Sequence, residues 1–191
     1  MNLPEWLLGL LVLALLAWYL SFSAARIDRL HHRVEGGRSA LDAQLVRRAE
    51  AAVELAGSGA LDPASGLLVA GAATDALDAG ELADAGTPPP THAGEPSRET
   101  AESDLSHALQ LALDPDLVTA MREDPIGAAL LERLRASCHR VQLARRFHND
   151  AVTDATRVRA KPIARWARLA GRAQAPQTFE MDDEPPVALT R

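Results

Sequence analysis

Several residue types that carry diagnostic chemistry are scarce. Cys138 is the only cysteine in 191 residues, which excludes an intramolecular disulfide framework and any cysteine-rich zinc site. Aromatic residues make up 4% of the chain although 47% of it is hydrophobic. Alanine fills much of that gap, which favours helix over sheet. Lysine occurs once, at Lys161, so arginine carries nearly all of the 20 basic charges. No run reads as a strand, and no glycine-rich phosphate loop follows one. Ser39, Ser103 and Ser106 lack the glycine-flanked turn of a hydrolase nucleophile. His31 and His32 are adjacent rather than a helical turn apart, so a helix cannot aim both at one metal. Cys138-His139 has no matching ligand pair, and Cys138 falls on an apolar stripe as a small core residue. The residues therefore point to no catalytic group, cofactor or metal.

Charge is missing altogether from Trp6 to Ala25, a run of 20 residues, about the length of helix that crosses a bilayer core. Trp6 marks one end, and Trp18, Tyr19 and Phe22 mark the other, as two interfacial belts would. A cleaved signal peptide is the rival, with Ser21-Phe22-Ser23 or Ser23-Ala24-Ala25 as weak cleavage sites. It wants a basic residue ahead of the apolar run, and none precedes Arg26. Arg26, Arg29, Arg33 and Arg38 follow the span, and the more basic side stays cytoplasmic. The expected topology is a single-pass anchor over residues 1–25, with the N-terminus outside and the rest in the cytoplasm.

Helical periodicity begins at Arg26. Ile27, Leu30, Val34, Leu41, Leu45, Ala52 and Leu55 make one stripe, with charges on the other face. Gly36-Gly37 predicts a kink or a close approach, and the helix ends near Gly57-Ser58-Gly59. Asp62-Pro63 reads as the cap and first position of a second helix, with Leu67, Leu68, Ala72, Leu77 and Leu82 as its apolar positions. Residues 85–97, rich in proline and glycine, read as a flexible loop. A third helix is predicted from Arg98 to Leu113, broken by Asp114-Pro115. A long fourth starts at Asp116 or Asp124-Pro125 and runs to Ala160, with Ile126, Leu130, Leu134, Cys138, Val141, Phe147, Ala151, Ala155 and Val158 as its stripe. The expected fold class is all-α: one transmembrane helix, then an antiparallel helical bundle over residues 26–172 with long first and last helices. Residues 173–191 read as an acidic, disordered tail.

Residues 51–130 carry 14 acids and 2 bases, whereas residues 131–172 carry 3 acids and 11 bases. Either these are solvated faces that attract one another, or the basic part meets an anionic partner such as the inner leaflet. Within it, Arg165, Trp166 and Arg168 have the pattern of a short interfacial helix and are candidate lipid contacts.

Four features in order resemble the bacterial LemA family. These are the uncharged N-terminal span; RLHHRVEGGRSALDAQLVRR, containing Asp42, Arg47 and Arg48; ARRFHNDAV, containing Arg145, Arg146, Asn149 and Asp150; and FEMDDE at residues 179–184. Residues 58–125 depart from the family pattern, and Lys161-Pro162 stands where the family has Phe-Pro. The resemblance implies a membrane-anchored, mostly helical antiparallel bundle and brings no enzymatic activity. Arg146 and Asp150 can pair one turn apart, and Asp42 with Arg47-Arg48 are expected partners for the ARRFHND cluster.

Residues 37–57 superficially echo the Nudix box of nucleotide diphosphate hydrolases. That box needs Arg-Glu and tandem glutamates to bind magnesium. Here Glu54 is followed by Leu55, and Glu50 by Ala51, so the hydrolase alternative lacks its metal site. The expected function is a non-enzymatic, membrane-anchored scaffold or adaptor. Its partners would be the bilayer and an unidentified protein, with room for homo-oligomers and no nucleic acid. The alternative is a binding module for anionic lipid or another anionic ligand.

Overall fold

The computed structural model describes residues 5–85, 97–160 and 175–190. The chain is helical throughout these stretches apart from its turns and one extended segment. Helix α1 spans Glu5–Gly57, α2 Pro63–Asp84, α3 Arg98–Ala112, α4 Pro115–Glu123, α5 Pro125–Arg159 and α6 Val187–Thr190. Most of the predicted loop at residues 85–97 lies outside the described residues, as do Arg165, Trp166 and Arg168.

Local chemistry sets the boundaries. The Asp62 side chain accepts from the backbone N–H groups of Ala64 and Ser65, ahead of Pro63 at the first helical position. This satisfies donors that a helix start leaves orphaned. Asp114 caps α4 in the same way before Pro115, so the expected helix breaker also starts a helix. Asp124 Oδ2 accepts from the Gly127 N–H at 2.8 Å. Gly127 is required at that corner, because a Cβ there would sit 2.5 Å from the Met121 carbonyl oxygen. Gly59, with φ of 77°, turns the chain between α1 and α2.

The chain divides into two compact units. One comprises Met1–Arg38 and Phe147–Thr178, the other Ser39–Arg146 and Phe179–Arg191. In the first, Val34 and Leu30 of α1 pack on Ala151, Val152 and Ala155 of α5. Gly37 makes a close approach rather than a kink: a Cβ there would lie 3.4 Å from His148 Cα. In the second unit, Ala49, Ala52 and Leu55 of α1 share a core with α2, α3, α4 and α5. Eight of the 21 buried members of that core are alanines and nine are leucines, so small side chains let neighbouring helices approach while leucines fill the space between them. Leu41, Leu45, Val141, Phe179 and Met181 form a further cluster.

Three expectations need correction. Phe147 is 63% exposed and is not part of the stripe. The stripe passes from Val141 to His148, seven residues on, because two helical turns return a side chain to the same face. Ile126, also expected on that stripe, is exposed. On α2, Leu67, Leu68 and Leu82 face outward while Val69, Ala73 and Ala76 are buried. The helix turns its small side chains, not its largest, to the core. The third correction concerns residues 175–190, which are not a disordered tail. They form an extended segment followed by α6, with Phe179 1% exposed and Met181, Ala188 and Leu189 buried.

The two phenylalanines should therefore respond oppositely to truncation. Phe179→Ala should cost about 3–5 kcal/mol, as for a fully buried ring. Phe147→Ala should stay within about 0.5 kcal/mol. Denaturant unfolding of the detergent-solubilised chain measures both, and equal losses would contradict the assignment.

Candidate functional site

Polar groups concentrate on one face of α3. Arg98, Glu102 and Ser106 recur every four residues, so they lie on one stripe among the buried Ala101, Leu105 and Leu109. Opposite them on α1 stands Arg48, 2% exposed. Its Nη2 donates to Glu102 Oε2 at 2.7 Å and to the Glu102 carbonyl oxygen at 2.8 Å. Its Nη1 donates to Ser106 Oγ at 2.9 Å. Arg98 forms an ion pair with Asp42, Nη1 to Oδ1 at 2.9 Å. Gly80 of α2 makes room for that guanidinium, since a Cβ there would lie 3.3 Å from Arg98 Nη2.

The extended segment lies against this cluster. Ser106 Oγ donates to the Asp182 carbonyl oxygen at 2.7 Å, and the Asp182 N–H donates to Ser103 Oγ at 3.0 Å. Arg145 grips Asp183 with two bonds, Nε to Oδ2 at 2.7 Å and Nη2 to Oδ1 at 2.9 Å. Gln142 Nε2 donates to the Asp183 carbonyl and Gln110 Nε2 to the Glu184 carbonyl. His107 Nε2 lies 3.1 Å from Asp182 Oδ2, and Arg122 donates to the Ala188 carbonyl on α6. The Glu184 N–H, bonded to Asp182 Oδ1, holds that carboxyl below its usual range, and His107 adds to the effect.

These pairings replace the expected partners of the ARRFHND cluster. Asp42 and Arg48 face α3, and Arg145 binds the FEMDDE segment instead. Arg47, Arg146 and Asp150 are exposed, and Asn149 is half-buried. Trp6, Trp18, Tyr19 and Phe22 are exposed along the start of α1. Arg26, Arg29 and Arg33 are exposed and Arg38 half-buried, with Arg33 Nη1 3.5 Å from Asp154. His31 Nε2 accepts from Arg159 Nη1 at 3.0 Å, and His32 lies beside Asp28 and Glu35. Glu54, part of the Nudix echo, pairs with Arg133 at 2.9 Å. Among the described residues no group of three His, Cys, Asp or Glu side chains could hold a metal. Burial pushes the Cys138 thiol up, which keeps it protonated and unreactive. An open cleft in the first unit, lined by Val152, Thr153, Thr156, Arg157 and residues 176–178, holds no nucleophile–base pair.

Sequence reasoning missed Glu102, Arg98 and the docking of residues 179–184. A signal was available: three polar residues at four-residue spacing on the apolar face of α3 need buried partners.

No protein-family model, curated protein or solved structure matches the chain.

The arrangement satisfies charge rather than activating it. Burial pushes the Glu102 carboxyl up, and this outweighs the pull of Arg48 and Arg98. A carboxyl raised in the fold contributes stability that is complete below its ordinary 4.5 and is lost as pH rises through the folded-state value. The wild type should therefore gain stability relative to Glu102→Gln as pH falls from neutrality to below 4.5. Urea unfolding of both proteins across that range measures the difference. The opposite slope would mean that Arg48 dominates.

Proposed function

We propose that the chain is a membrane-anchored helical scaffold or adaptor of the LemA type, with its helical body in the cytoplasm. The observation that carries this is the start of α1. One helix is long and apolar enough to cross a membrane, and its apolar stretch is entirely unburied. A core helix would be covered, since leaving each large apolar side chain in water forfeits about 1.5–3 kcal/mol. A bilayer supplies the missing cover. Trp6 at one end and Trp18, Tyr19 and Phe22 at the other suit the two headgroup levels. Arg26, Arg29, Arg33 and Arg38 set the orientation, with the N-terminus outside.

We read the body as an antiparallel bundle. Leu41 and Leu45 of α1 cluster with Val141 of α5, while Leu55 clusters with Leu130 and Leu134. Residue numbers thus rise along one helix as they fall along the other. The scaffold role is supported by the cluster's chemistry. Its charges are paired at 2.7–2.9 Å, and no hydroxyl or thiol in it is presented to a general base. Its partners would be the bilayer and an unidentified protein.

The test is a pair of topology reporters on the full chain. A reporter active only in the cytoplasm, fused after Arg191, should be active, and an export-dependent one should be silent. The reverse pattern would overturn the orientation. A mature protein that begins near residue 24 would overturn the anchor.

A further inference from the structure

Residues 179–184 sit in their groove as a bound peptide does. Exposure alternates along the extended stretch: Phe179 and Met181 are buried, whereas Glu180 and Asp182 face outward. The groove reads the main chain with helix side chains: Ser103 and Ser106 take the N–H and carbonyl of Asp182, and Gln142 takes the carbonyl of Asp183. Arg145 adds a two-bond charge contact to Asp183. Apolar pockets at every second residue, main-chain capture and one charge pair are the physics of extended-peptide recognition. The groove therefore selects a Phe-x-Met-Asp-Asp segment wherever that segment comes from.

We propose that this groove accepts the same segment from a second copy of the chain, so that copies join by exchanging residues 179–190. The occupant is fixed by the sequence, because the resident segment shows what fits. Nothing in these contacts requires the segment and the groove to belong to one copy. Exchange of an identical element re-forms every contact of the closed monomer and is a low-cost route to dimers. The chain's own segment competes for the groove, so exchange is favoured where copies are dense. Anchoring in one membrane would raise that density, but the contacts themselves do not depend on the anchor.

Charge reversal at the Arg145–Asp183 pair separates the two modes. Two differently tagged full-length copies are co-expressed and solubilised in mild detergent, one is captured, and the other is quantified. With Arg145→Asp in one copy and Asp183→Arg in the other, each groove matches only the other copy's segment. Co-capture of this mixed pair should exceed that of either variant with itself by about tenfold, the weight of one such ion pair. The double variant in a single chain carries the reversed pair internally and should match the wild type in co-capture and in unfolding midpoint. Capture of the mixed pair at or below the level of each variant with itself overturns the proposal. Wild-type self-capture well above that of the mixed pair also overturns it, because copies would then meet through another surface.

Discussion

A buried guanidinium needs a counter-charge close by. Arg48 is 2% exposed, and taking its charge out of water is costly unless that charge is paired and hydrogen-bonded. Glu102 answers the charge, and the Glu102 carbonyl and Ser106 take further donors. This requirement fixes the rotation of α3 against α1, since only one face of α3 carries Arg98, Glu102 and Ser106. It also reaches the extended segment. The Ser106 hydroxyl accepts from Arg48 and donates to the Asp182 carbonyl. One polar chain thus runs from α1 through α3 to the residues that close the groove.

The small side chains around it follow from the same constraint. Three hydrogen bonds to one guanidinium hold only if the helices that supply them come close, and alanine at the contacts permits that. Gly80 serves the same end, leaving a space into which the Arg98 guanidinium fits. The outward leucines of α2 are the counterpart: the helix turns to bring Val69, Ala73, Ala76 and Gly80 inward, which leaves Leu67, Leu68 and Leu82 in solvent.

Local signals were well read from the sequence. The cap at Asp62, the break at Asp114-Pro115, the end of α1 near Gly57 and the position of α3 follow from residue types a few places apart. What failed was long-range. Size alone placed Phe147 on the α5 stripe, while the seven-residue return from Val141 puts His148 there. Four of the six residues of FEMDDE are acidic and would read as tail or surface in isolation. Their order comes from Arg145, 38 residues earlier, and a pairing at that separation leaves no periodicity to detect. Arg48 was recognised as part of a motif, but its partner Glu102 lies in the stretch that departs from the LemA pattern. Resemblance could not supply it.

A double-mutant cycle on Arg48 and Glu102 tests most directly whether this pair organises the fold. Arg48→Met and Glu102→Leu each strand a buried charge and should cost about 3–5 kcal/mol in chemical unfolding. The double variant, with apolar groups on both sides, should recover much of that loss, with a coupling of about 2 kcal/mol or more. Small single-variant losses that simply add would show that the pair is incidental.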